Sequence, residues 1–340
     1  MPKWLTLLRP NRGPFPPSRM LLGVMAFAIP MGWQVYHGHN QAAGMMGFAI
    51  LATLMLDIGG TRKKRLESMV VGNVLMLLTA SISLSINHNV LIWLGGILFL
   101  MTLIGASLSA GFALDLLLRL LASAYLIGYP GTFVSSAILP YYLIAATMTI
   151  ALSVSFAPRM NNPIGLQVQP HWRSDYQQLR KGQFAGATFG ILLAIACALS
   201  FFSARYFNLS APNVAAICTV VVFRPEPDRT YPTIWLRFVG VLLASFVAWL
   251  FVFQIDSSFE LILLAALSGA LIPVAFANGL MYVAAMITFI VYVILALLGI
   301  HGHAAEISAE NRIYETVLGA SIAGIFAMIF HSLKPATGKQ

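Results

Sequence analysis

Charge is what this sequence has least of. Only 9% of its 340 residues are Asp, Glu, Lys or Arg, against about 25% in soluble globular domains. A water-solvated globule of this length needs more ionic surface, so most of the surface must face lipid. Cysteine is scarce as well. Cys197 and Cys218 are the only two; both sit in apolar runs, read as buried thiols, and carry no information on redox compartment. There is no Gly-rich phosphate loop, no CxxC pair and no HExxH. Nucleotide, metal and hydrolase functions therefore have no motif to rest on, and neither cofactor nor enzymatic activity is expected. The start of the chain does not read as a signal peptide, because Met1 to Pro17 is basic, Pro-rich and polar with no apolar core before a cleavage site.

What is present is apolar length. Hydrophobic residues make up 59% of the chain, and its mean hydropathy is +0.83. A spanning helix takes about 20 such residues. The runs predict an all-α, polytopic membrane protein of about twelve transmembrane helices. In a first half they are Arg19–Tyr36, Ala42–Ile58, Leu66–Ile86, Val90–Leu108, Gly111–Gly128 and Thr132–Phe156. In a second half they are Phe184–Tyr206, Ala211–Phe223, Thr233–Phe253, Phe259–Phe276, Gly279–Ile300 and Ile313–Leu333. Connections such as His37–Gln41 and Asn87–Asn89 are short enough to make neighbouring helices antiparallel. The organisation expected is a tail over 1–18, a six-helix repeat over 19–156, a linker over 157–183, a second repeat over 184–333 and a tail over 334–340. The linker is polar and holds Pro158, Pro163 and Pro170; its stretch Ser174–Lys181 reads as a short amphipathic helix on the membrane surface.

The net charge of +9 is explained by position, not by nucleic acid. If twelve spans alternate, Lys3, Arg9, Arg12, Arg19, Arg62, Lys63, Lys64, Arg65, Arg159, Arg173, Arg180, Lys181, Arg224, Arg229, Arg237, Lys334 and Lys339 all fall on one side. The other side has Arg205 and Arg312 and gathers Asp256, Glu260, Glu306 and Glu310. The positive-inside rule then puts both termini in the cytoplasm.

The halves echo each other. Thr53 in FAILATLMLDIGG matches Thr219 in VAAICTVVVFRP, and Arg65-x2-Ser68-x3-Gly72 matches Arg237-x2-Gly240-x3-Ala244. Small residues at spacings of three and four let neighbouring helices approach closely. With an even number of helices in each, the halves form a parallel repeat about an axis along the membrane normal. The APNVAAICTVVVFRP run, Arg237-x2-Gly240 and Arg312-x2-Glu315-x3-Gly319 together resemble the fusaric acid resistance and aromatic acid exporter family. The DIGG stretch at Asp57–Gly60, followed by Arg62 and Arg65, resembles its first-half motif. The resemblance implies a bacterial inner-membrane exporter of aromatic or other organic carboxylates. Some members work beside a periplasmic adaptor protein, and larger ones carry a cytoplasmic domain where this chain has only its short linker. Candidate partners are thus a small organic anion, the bilayer, a periplasmic adaptor and a second copy of the chain. Plant malate channels resemble the family more distantly, so a passive anion channel is the alternative, with a non-transporting membrane scaffold as a third reading.

Charge near the bilayer centre costs about 2.5–3.5 kcal/mol on insertion scales, so embedded charges mark candidate sites. Asp115 and Arg119 lie four apart on one helical face. They are either a structural ion pair or an arginine that meets the substrate carboxylate beside a proton-carrying aspartate. Asp57 either satisfies a turn through Arg62 or Arg65, or gates a proton path. Arg65 and Arg237 are substrate-attracting cations or helix anchors. Arg312 and Glu315 start the last helix as a local ion pair or a gate. The paired HGH clusters His37/His39 and His301/His303 read as polar loops, and no metal site is expected. The function these expectations converge on is proton-coupled export of small organic anions.

Overall fold

The computed structural model describes residues 17–57, 61–86, 89–107, 112–128, 138–156, 172–180, 186–225 and 227–333. Among these there are thirteen helices and no strand. We number them α1 (Pro17–Tyr36), α2 (Asn40–Leu56), α3 (Arg62–Ile86), α4 (Val90–Ser107), α5 (Phe112–Ile127), α6 (Ile138–Ser155), α7 (Trp172–Arg180), α8 (Ala187–Tyr206), α9 (Pro212–Val222), α10 (Pro227–Phe251), α11 (Ser258–Asn278), α12 (Leu280–Leu297) and α13 (Gly302–Leu333). Each expected span has its helix, and the linker's amphipathic segment is α7. Tail residues 1–16 and 334–340, linker residues 157–171 and 181–185, and Gly59 and Gly60 lie outside the described residues.

Seven helices among those described are long and apolar enough to cross a membrane: α3, α4, α8, the Thr230–Phe251 part of α10, α11, α12 and α13. Three more, α2, the Leu139–Ser155 part of α6, and α9, are apolar but shorter. The solvent these helices are built for is legible on α3. Its exposed face carries Leu66, Val70, Val74, Leu78 and Ile82, while Arg65, Ser68 and Asn73 are buried. A helix in water shows the reverse pattern. The chain is a multi-pass helical membrane protein.

Its contacts group into two compact units, each drawing on both halves of the sequence. One comprises residues 1–77, 134–171 and 239–310, the other 78–133, 172–238 and 311–340, so α3, α10 and α13 contribute a segment to each. In the first, α1 packs on α11, α2 lies against α1, α6 and α12, and Phe27, Met46, Ile50, Leu261 and Ile294 build the core. The α1–α11 crossing is backbone-close: a Cβ added to Gly23 would stand 2.0 Å from the Gly269 carbonyl oxygen. Without the hydrophobic effect between lipid-solvated helices, such small-residue contacts drive packing. In the second unit, α8 packs on α4 and α9, α5 lies against α4 and α9, and Trp93, Met101, Phe189, Phe201 and Phe223 build the core. Here Gly105 of α4 meets Gly186 and Gly190, at the start of α8, in the same way.

Two boundaries differ from expectation. The segment 301–311 is helical from Gly302 onward, extending α13 to 32 residues, because Ala305 and Ala309 repeat at helical spacing and are buried. α10 begins at Pro227, ahead of the apolar run, since proline is tolerated in a first helical turn.

Candidate functional site

Asp57 follows the last residue of α2 and caps it. Four elements meet on it. Arg65, in the first turn of α3, grips the carboxylate with both ends of its guanidinium, Nε donating to Oδ1 at 2.7 Å and Nη2 to Oδ2 at 2.6 Å. Ser153 of α6 donates its hydroxyl to Oδ2 at 2.7 Å and accepts from Arg65 Nη2 at 2.6 Å. Arg19 of α1 donates Nη1 to the Asp57 carbonyl at 2.9 Å, and its Nη2 stands 3.7 Å from Oδ1. A helix C-terminus leaves carbonyls without intrahelical partners and attracts cations, which is what Arg19 answers. All three charged side chains are buried. Fork-to-fork pairing is the geometry that compensates desolvation best. The partner of Asp57 is thus Arg65, one of the two expected. One carboxylate faces two guanidiniums, so the cluster keeps a net positive charge.

A second cluster of the same composition sits on α5. Arg119 Nε donates to both Asp115 oxygens at 2.9 Å, and Arg224, just past α9, donates Nη1 to Asp115 Oδ2 at 2.8 Å. Arg119 also donates Nη1 to the carbonyls of Val220 and Phe223 at the end of α9. The reason lies in α9 itself. Its 11 residues make a helix about 16 Å long, about half the hydrocarbon thickness of about 30 Å. Backbone carbonyls cannot be left bare in lipid, and Arg119 satisfies them. The cluster is graded in exposure: the side chains of Arg119, Asp115 and Arg224 are 5%, 15% and 31% accessible. Arg119 Nη2 is buried and has no hydrogen-bond partner among the described residues. The start of α5 is held by Asp175 of α7, whose Oδ2 accepts the amides of Ala113 and Leu114 at 3.0 and 3.1 Å, a side-chain cap on a helix N-terminus.

The matched threonines are both fully buried. Thr53 Oγ1 lies 2.7 Å from the Ala49 carbonyl and 3.1 Å from Asn73 Oδ1, which also accepts from the Tyr142 hydroxyl at 2.8 Å. Thr219 Oγ1 lies 3.1 Å from the Ala215 carbonyl, 3.0 Å from that of Gly319 and 2.6 Å from Ser200 Oγ. Each therefore ties its helix to neighbours inside an apolar core. Glu315 on α13 is buried, and its Oε1 accepts the Ala211 amide at the start of α9 at 2.7 Å; Arg312 acts on it electrostatically from the preceding turn. Arg237 on α10 is half-buried, with its Nε shielded and without an acceptor among the described residues.

Of the residues expected from the sequence, the structure joins Asp57 to Arg65 and Asp115 to Arg119. It leaves Arg237 outside both clusters. Reading the sequence missed Arg19, Ser153, Arg224 and Asp175 as site residues. In the sequence Arg19 and Arg224 are visible only as two among the cations flanking apolar runs, and Ser153 is one hydroxyl in an apolar run. Of the histidines, His37 Nδ1 lies 2.8 Å from the Trp33 carbonyl and His303 Nδ1 3.3 Å from Glu306 Oε2. No group of three or more metal-ligating side chains converges among the described residues.

Residues 195–326 match the family described as fusaric acid resistance protein-like. The match contains the APNVAAICTVVVFRP run, Arg237-x2-Gly240 and Arg312-x2-Glu315-x3-Gly319, and so bears out the resemblance drawn from them. No curated protein and no solved structure matches the chain.

Proposed function

We propose that this fusaric acid resistance protein-like chain exports small organic anions, aromatic carboxylates foremost, from the bacterial cytoplasm in exchange for protons. The observation that carries the reading is the Asp115–Arg119–Arg224 cluster: one carboxylate shared by two guanidiniums, an unpartnered Arg119 Nη2, and partial exposure through Arg224. Excess positive charge held away from water is a receptor for an anion that has shed part of its hydration. Asp115 restrains both arginines until a substrate carboxylate competes for them. Arg65 and Arg237 belong to the anion's route, with Asp57 gating at Arg65.

Protons move through a carboxylate that is not fixed by guanidiniums. Asp57 and Asp115 each lose strong hydrogen bonds on protonation. Glu315 accepts a backbone amide instead, so Glu315, gated by Arg312, is the coupling acid of this reading. The test is benzoate efflux from proteoliposomes under an imposed pH gradient. Arg224→Gln should cut efflux while leaving Arg119 on the α9 carbonyls, and Glu315→Gln should remove the dependence on the gradient. Wild-type efflux indifferent to the gradient would identify a passive channel, and normal efflux from both Arg224→Gln and Arg119→Lys would overturn the site.

A further inference from the structure

α3 and α10 carry corresponding inner stripes. On α3, Ser68, Met69, Gly72 and Met76 are buried at offsets of three, four, seven and eleven from buried Arg65. On α10, Gly240, Val241, Ala244 and Ala248 are buried at the same offsets from Arg237. These offsets select one helical face. The exposed large residues of α10 include Tyr231, Trp235, Leu242, Phe246 and Trp249, which lie on the opposite face. Arg237 therefore belongs to the protein-facing stripe and not to the lipid-facing one. Snorkelling to a headgroup is the usual fate of a membrane arginine, and it needs a lipid-facing position.

The two arginines differ in what holds them. Arg65 is sealed at 1% exposure by Asp57. Arg237 keeps partial exposure, buries its Nε, and makes no hydrogen bond or ion pair with any described residue. The sequence explains the difference. Counting four residues on from the matched Thr53 and Thr219 reaches Asp57 in one half and Phe223 in the other. Phe223 is fully buried, its ring packed 4.8 Å from that of Phe189. The second half thus repeats the arginine and its stripe but replaces the carboxylate with an aromatic ring.

A guanidinium at an inner position without a counter-charge is costly in a membrane unless an oxyanion completes it. Building on the export reading, we propose that Arg237 receives the carboxylate of the transported anion as Arg65 receives that of Asp57, and that Asp57 is a built-in stand-in for that carboxylate in the first half. The ligand class is a monoanion that offers two oxygens to one planar fork.

The experiment is arginine modification by phenylglyoxal on the purified full-length protein, read peptide by peptide by mass spectrometry. Arg237 should be modified and Arg65 spared. Benzoate should slow the reaction at Arg237 several-fold, and uncharged benzamide should leave it unchanged. In Asp57→Asn, Arg65 should become reactive and protectable by benzoate; if that variant does not fold, the wild-type comparison decides alone. Arg237 left unmodified, or modified equally with and without benzoate, overturns the proposal. Protection by phosphatidylglycerol vesicles but not by benzoate overturns it in favour of a lipid anchor. Protection without benzoate efflux keeps this inference and sinks export; efflux without protection does the reverse.

Discussion

Arginine, not the carboxylates alone, organises the charged interior. Asp57 accepts from Arg65 and Ser153, with Arg19 bonded to its carbonyl, so it terminates α2 and ties it to α1, α3 and α6 at once. Removing one partner of a buried ion pair costs about 3–5 kcal/mol, because the other charge is left uncompensated. Removing a neutral hydroxyl from a charged network costs about 1.5–3 kcal/mol. Asp57→Asn, which strands two guanidiniums, should therefore lower the melting temperature in detergent well below that of Ser153→Ala. Equal melting of the two variants would show that Asp57 does not compensate Arg65 and Arg19. The Asp57–Arg65 partnership was legible from a helix-terminal aspartate near a run of cations. Arg19 and Ser153 were not, because their separations of 38 and 96 residues from Asp57 follow no local period.

At the level of elements, helix ends carry the information that apolar runs do not. The runs located the helices, since lipid-facing faces must be apolar over a fixed length. They misplaced the starts of α10 and α13, where polar helical turns precede the apolar part. The run Ala211–Phe223 is already shorter than the about 20 residues a span takes, but it could not reveal that Arg119 is the donor that makes the C-terminus of α9 tolerable. α5 is fixed at its N-terminus by Asp175 and joined to α9 through Arg119, so α7 of the linker is coupled to the helix that bears the proposed anion site. Loss of a side-chain cap costs about 0.5–2 kcal/mol. Asp175→Ala should destabilise the protein by that order in a thermal melt, and Asp175→Asn, which keeps an accepting oxygen, by less. Identical losses in the two would mean that charge, not hydrogen bonding, holds α5 to α7.

At the scale of the whole chain, each compact unit sets the first helix of one half against the fourth helix of the other, α1 with α11 and α8 with α4, both at glycine contacts. Duplication with exchange of helices would give both pairs the same partners, whichever way the halves run; the proposal that they run parallel rests on the even helix count expected in each half. A parallel repeat would start both halves on the same side, and the cation count proposes the cytoplasm as that side. Cysteine labelling in intact cells can test it with little background, because native Cys197 and Cys218 are buried. His303 is the place for an external probe, since its side chain is 84% exposed, whereas Gly302 has φ +54° and a cysteine there would be strained. His303→Cys should react with an impermeant maleimide from outside. Ser18→Cys and Gly338→Cys should react only after the membrane is permeabilised. Outside labelling at Gly338 with protection at His303 would invert the orientation, and Arg65 and Arg237, proposed to lie on the anion's route, would then be on the side away from its source. Outside labelling at both would leave no net crossing between His303 and Gly338 and an odd number of spans before Gly338, which breaks the six-plus-six count and the parallel repeat with it.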